Sequence, residues 1–212
     1  MSLAPAWRVV RVASILLVLA AIVVQAKTLA DAGAFDATRF FAYFTIQSNL
    51  IGVAALGAAL WSPQPRARSV ELLRGGAAAY LTVTFLVVIA LLSNVDVGLQ
   101  LVWVDVVLHK IFPVIVVADW LLDAPQVRLT LRDAAIWLVY PIAWTVLTLL
   151  RGELDPAHWY PYPFLNPANG GYGQVAITVV GVTIGFLVVC ALYVGLGNWR
   201  RDDRGTPELR PA

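Results

Sequence analysis

Phe40-Phe-Ala-Tyr-Phe-Thr-Ile-Gln-Ser-Asn-Leu-Ile51 begins and ends as a membrane span should, yet carries Thr45-Ile-Gln-Ser-Asn49 in its middle. Hydrocarbon offers such side chains no partners, so polar groups at that depth turn toward the inside of a helix bundle. The whole chain supports the membrane reading. Of its 212 residues, 60% are hydrophobic and 13% charged, with a mean hydropathy of +0.77. A water-soluble domain cannot hide that much apolar surface. The apolar runs are continuous rather than alternating, unlike the strands of a β-barrel. The expected fold is all-α: a polytopic membrane protein with a bundle of six transmembrane helices.

A span needs about 20 apolar residues, which predicts helices over roughly 9–27, 38–61, 72–93, 99–122, 131–150 and 172–197. They form one transmembrane domain over 1–199, followed by a short charged tail over 200–212. Basic residues gather in alternate connections. Arg8 and Arg11 flank the first span, Arg66, Arg68 and Arg74 follow the second, and Arg128 and Arg132 follow the fourth. Arg200, Arg201, Arg204 and Arg210 follow the last. The positive-inside rule then makes both termini cytoplasmic. Arg8, Arg11, a short apolar run and Val24-Gln-Ala26 also fit a cleavable leader, which would leave five spans.

The net charge of +2 is too small to suggest a nucleic-acid partner. Cys190 stands alone, so no intrachain disulfide forms, and no Cys/His spacing marks a metal site or calls for a cofactor. The two halves show no clear internal repeat, which weakens a transporter built from inverted repeats.

The fourth span carries Asp105, His109, Lys110 and Asp119 in an otherwise apolar run. Ionisable groups there are costly, about 2.5–3.5 kcal/mol each on insertion scales. Asp105 and His109 are one turn apart on one face, and Asp119 lies within about 40° of Asp105 on a helical wheel of 100° per residue. Lys110 points elsewhere. Pro113 frees the carbonyl of His109 from its helical bond. In the second span Thr45, Ser48 and Asn49 share a face, while Gln47 lies off it as a helix-bridging amide. At 1.5 Å per residue, Thr45 lies about 10 Å and His109 about 15 Å below the outer ends of their spans. The two polar faces are thus expected at similar depth.

This pattern suits nucleophilic catalysis. A hydroxyl needs a neighbouring base, and imidazole titrates near neutrality. Thr45 is the candidate nucleophile, His109 the base and Asp105 its orienting group. Ser48 or Asn49 is the candidate oxyanion donor. Two other readings use the same residues. The polar groups can simply bridge helices, or a binding or transport protein can use Asp105, His109, Lys110 and Asp119 as a ligand site or proton relay.

Tyr43-Phe-Thr-Ile-Gln-Ser-Asn49, Leu108-His-Lys-Ile-Phe-Pro113, Asp119-Trp120 and Tyr160-Pro-Tyr-Pro-Phe164 resemble strings of a six-span, mainly actinobacterial membrane protein family over nearly the whole chain. That group is remotely similar to the androgen-induced and androgen-dependent TFPI-regulating protein family of membrane hydrolases. The resemblance implies a threonine nucleophile at Thr45 and a histidine at His109. It also implies a lipid ester substrate, of which fatty acid esters of hydroxy fatty acids are an example, and a bacterial plasma membrane setting among membrane lipids.

The segment 151–171 mixes aromatics with prolines. It reads either as an interfacial aromatic belt or as a stiff lid over an outward-facing cavity, with Arg151, Tyr160 and Tyr162 as substrate-binding or relay residues. The aromatic face Trp137, Tyr140, Pro141 and Trp144 suits bundle packing, and Gly181 and Gly185 suggest a helix contact.

Overall fold

The computed structural model describes residues 5–92 and 101–203. The expected span ends at 93 and 99, the loop 94–98 and the tail after Asp203, with Arg204 and Arg210, lie outside the described residues. The secondary structure of the described residues is entirely helical. In order come α1 (Pro5–Asp31), α2 (Ala37–Phe40), α3 (Phe44–Trp61), α4 (Arg68–Leu91), α5 (Val102–Val106), a π turn (Val107–Ile111), α6 (Phe112–Leu122), α7 (Leu131–Leu154), two 3-10 turns (Pro163–Leu165 and Pro167–Asn169) and α8 (Gly171–Asp203). Five of them, α1, α3, α4, α7 and α8, are long and apolar enough to cross a membrane. Helix α5, the π turn and α6 follow one another without a break, giving a rod roughly 30 Å long. Helix α8 continues past residue 199, so the expected tail boundary is not a structural break.

The second expected span is not one helix. Asp36 caps α2 by accepting the Thr38 and Arg39 backbone N–H groups at 2.8 and 3.1 Å, and the chain breaks before α3 starts at Phe44. Side chains satisfy the carbonyls of the break. Gln47 Nε2 donates to Phe41 O at 2.6 Å and Trp144 Nε1 to Ala42 O at 3.0 Å. Gln47 Oε1 accepts the Tyr140 hydroxyl at 2.5 Å, so this amide does bridge helices.

Helix α4 is central and lies against α3, α6, α7 and α8. Its Gly75 permits the closest approach: a Cβ there would sit 2.2 Å from the Trp137 ring of α7. Trp137 Nε1 donates to Leu72 O at 2.8 Å, which fixes the indole on that spot. By contrast, a Cβ on Gly181 or Gly185 would meet nothing within 4 Å. The expected Gly-xxx-Gly contact is therefore not made among the described residues, and that face of α8 is bare.

One end of the bundle is closed by a buried ionic network. Arg11 donates to Asp119 Oδ1 at 2.6 Å and to Asp123 Oδ2 at 2.7 Å. Arg66 holds Glu71 at 2.8 Å and Asp123 at 2.9 Å, and Arg74 holds Glu71 at 2.7 Å and Asp119 at 2.9 Å. Trp7 Nε1 adds a bond to Asp119 Oδ1 at 2.8 Å. At Asp123, just past α6, burial pushes the carboxyl pKa up, but Arg74 and Arg66 outweigh it and hold the group below its ordinary value. Near the same end, Asn198 of α8 exchanges two 2.9 Å bonds with Leu129, and Arg200 donates to Leu121 O at 3.1 Å. The start of α1 and the end of α8 thus share the arginine-rich end.

Candidate functional site

Thr45 lies in the first turn of α3, a position created by the break before Phe44. His109 is the middle residue of the π turn. The Phe112 N–H reaches back five residues to Val107 O, and Pro113 has no N–H to give to His109 O. A π turn inserts one extra residue, so every side chain after it turns by about 100° relative to a regular helix. Asp119 is accordingly not gathered with Asp105 and His109. It belongs to the ionic network ten residues further on, with Arg11, Arg74 and Trp7 on its oxygens.

The two polar faces meet. Thr45 Oγ1 is 3.1 Å from His109 Nε2, and His109 Nδ1 is 2.8 Å from Asp105 Oδ1. Thr45 is 4% and His109 1% exposed, whereas the Asp105 side chain is 36% exposed. The direction of the chain follows from its end. A carboxylate only accepts, so His109 Nδ1 donates to Asp105, and Nε2 of a neutral ring is then the acceptor for the Thr45 hydroxyl.

Tyr162 completes the group. Its hydroxyl lies 3.2 Å from Thr45 Oγ1 and accepts the Thr45 backbone N–H at 3.2 Å. The ring stacks on Phe164 at 5.2 Å, and Tyr43 meets it edge-on at 5.6 Å. Tyr162 sits in the 155–170 connection, where burial pushes its phenol up to about 12.

Thr45 and Tyr162 also line a cavity of about 260 Å³, walled mainly by apolar side chains of α4, α7 and α8 such as Val87, Leu149 and Val182. Ile142 and Val146 on its wall are each 50% exposed, so its rim is apolar. Four other threonines face this space, and each donates to the carbonyl four residues earlier in its own helix. Thr84 bonds Tyr80 O at 2.9 Å, Thr145 bonds Pro141 O at 2.8 Å, Thr178 bonds Gln174 O at 3.0 Å and Thr183 bonds Val179 O at 2.7 Å. Thr45 has no such outlet, because Phe41 O lies before the helix and accepts Gln47. Its hydroxyl is left for the imidazole.

The other expected site residues lie elsewhere or are occupied. Ser48 Oγ bonds Thr45 O at 3.1 Å and Thr84 Oγ1 at 3.2 Å. Asn49 Nδ2 donates to Thr45 O at 2.8 Å and to Leu108 O at 3.1 Å. The expectation that either serves as an oxyanion donor is therefore corrected: both tie α3 to its neighbours. Lys110 is exposed on the outside of the rod. Arg151 donates to Thr38 O at 2.7 Å and Thr38 Oγ1 at 2.9 Å and lies over Trp159 at 5.4 Å, locking α7 to α2. Tyr160 packs its ring on Gly152, where a Cβ would come within 2.2 Å. Among the described residues no three His, Cys, Asp or Glu side chains gather as a metal site requires.

In sequence Tyr162 stands with Tyr160, 117 positions from Thr45, and only the fold pairs it with the threonine. The prolines flanking Tyr162 were the available signal. Arg11, Arg66 and Arg74, which the positive-inside rule uses as topology markers, also build the ionic network, and their spacing in sequence carries no signal of it.

No family model matches the chain, and neither a curated protein nor a solved structure matches it.

Proposed function

We propose that this chain is a membrane-embedded hydrolase of lipid esters. It would cross a bacterial plasma membrane six times, with the α5–α6 rod as the fourth span and both termini in the cytoplasm. The observation that carries the catalytic reading is the Thr45–His109–Asp105 hydrogen-bond chain, ending on a threonine in the wall of an apolar cavity. Such a cavity suits one acyl chain, admitted from the bilayer past Ile142 and Val146. The motif resemblance to threonine–histidine membrane hydrolases points the same way.

In this reading the Thr45 oxygen attacks the ester carbonyl while its proton passes to His109 Nε2. The tetrahedral intermediate collapses, the alkoxide leaves with that proton, and the acyl group stays on Thr45. His109 then takes a proton from water, whose oxygen attacks the acyl-enzyme. Thr45 recovers its proton and the carboxylic acid departs. Asp105 keeps Nδ1 protonated and the ring aimed at Thr45.

A proton-coupled carrier would need Asp119 as a relay. The Asp119 oxygens are instead engaged by Arg11, Arg74 and Trp7, which argues against that alternative. The deciding experiment is labelling with a fluorophosphonate. Wild type should label on Thr45, while Thr45→Ala and His109→Ala should not. Labelling that survives both substitutions ends the hydrolase reading.

A further inference from the structure

Ester hydrolysis of this kind needs a hydrogen-bond donor for the charge that grows on the carbonyl oxygen. Ser48 and Asn49 have their donors committed to α3, α4 and the π turn. The Thr45 backbone N–H donates to Tyr162. The phenol of Tyr162 is a donor beside the nucleophile, 3.2 Å from Thr45 Oγ1 and on the cavity side.

The bond directions define what that phenol offers. With the imidazole neutral, as a general base must be, Thr45 gives its only proton to His109 and the Tyr162 O–H donates to a lone pair of Thr45 Oγ1. When Thr45 attacks through its other lone pair, the carbonyl oxygen comes to lie beside Oγ1, and the phenol O–H turns about its C–O bond from Oγ1 to that oxygen. No rotation of the ring is needed. The ring is fixed by Phe164, Tyr43 and Trp144, at centroid distances of 5.2, 5.6 and 6.0 Å. The Thr45 N–H continues to donate to the phenol oxygen, which strengthens the phenol as a donor through cooperative polarisation.

We infer that Tyr162 is a catalytic residue of this site, whose hydroxyl donates to the oxyanion formed when Thr45 adds to the ester. The inference rests on the hydrolase reading. Burial keeps the phenol protonated far above neutral pH, so the donor is present wherever His109 acts as a base.

The test is turnover of a fluorogenic short-chain ester by the full-length protein in nanodiscs. Tyr162→Phe should lower kcat by about 10²–10³-fold with little change in KM. Prolonged fluorophosphonate treatment should still modify Thr45 in that variant, showing that the Thr45–His109 pair is intact. Incorporating 3-fluorotyrosine at position 162, which keeps the ring shape and the hydroxyl, should restore most of the lost rate. If Tyr162→Phe turns over within about threefold of wild type while Thr45→Ala is inactive, the inference is wrong and the hydrolase reading stands. If 3-fluorotyrosine is no better than Phe, the hydroxyl is not the active group and the inference also fails. If wild type neither labels nor turns over, the reading and the inference fall together.

Discussion

The Thr45 hydroxyl and the His109 imidazole, 64 positions apart in sequence, meet at 3.1 Å because α3 starts late and the fourth apolar run contains a π turn. The late start leaves the hydroxyl without a carbonyl in its own helix. The π turn carries His109 at its centre, facing α3. Removing the imidazole should therefore cost what general-base catalysis supplies. His109→Ala is expected to lower kcat by about 10²–10⁴-fold. Asp105→Asn, at a half-exposed position, should cost less. Steady-state ester hydrolysis measures both.

The cavity wall sets which acyl chains fit. Val87→Phe adds a ring to the space lined by α4, α7 and α8. It should lower kcat/KM for long-chain esters by about tenfold or more, while an acetyl ester is cleaved as before. Equal losses for both esters would mean that the acyl chain lies elsewhere.

Asp119→Asn should behave as a stability mutation. It leaves Arg11 and Arg74 short of a buried counter-charge, a class of change that costs about 3–5 kcal/mol. Thermal unfolding in detergent should show a large drop. The protein that remains folded should label on Thr45 at the wild-type rate, and a selective loss of labelling would restore Asp119 to the mechanism.

Much of the fold can be read from hydrophobicity, because each long helix needs an unbroken apolar run. What that pattern hides is where a run breaks. Phe40 and Phe41 are as apolar as any span residue, so nothing in the composition marks the gap between α2 and α3. The gap is made by Gln47 and Trp144 capping its carbonyls. The π turn is equally silent, apart from the missing N–H of Pro113, and this is why a regular helical wheel misplaced Asp119. Thr45, His109 and Asp105 were legible because each stands out as polar within a run. Tyr162 was not, because an aromatic residue in a loop is ordinary until the loop folds back onto α3. Gly181 and Gly185 were over-read: two small residues permit a close approach but do not supply the neighbouring helix.

Packing on α4 gives a further measurable effect. Gly75→Ala puts a methyl 2.2 Å from an indole pinned by its own hydrogen bond. Overpacking of this kind costs about 1–3 kcal/mol. Gly185→Ala, where a Cβ meets nothing within 4 Å, should leave the melting temperature near wild type.

The α2 cap has a defined pH dependence. Asp36 is held below its ordinary value of 3.8, chiefly by the Thr38 hydroxyl and then by the Arg39 N–H. A depressed carboxyl contributes above the unfolded value and loses that contribution as pH falls through the folded one. Amide exchange at Thr38 and Arg39 should therefore be slow near pH 5 and speed up, relative to intrinsic rates, below 3.8. Asp36→Asn should flatten that change.

The Arg11–Asp119 pair also constrains the order of assembly. The two residues are separated by 108 positions, so α1 leaves the ribosome long before its counter-charge exists. Arg66 and Arg74 likewise precede Asp123 and Asp119 in synthesis. Glu71 is at hand for Arg66 and Arg74, whereas Arg11 must wait in water or among lipid phosphates. Only when the fourth apolar run enters can that end of the bundle seal. A nascent chain stopped before residue 119 should be a ready substrate for membrane quality-control proteases, and one extended by a tether beyond residue 123 should be less so.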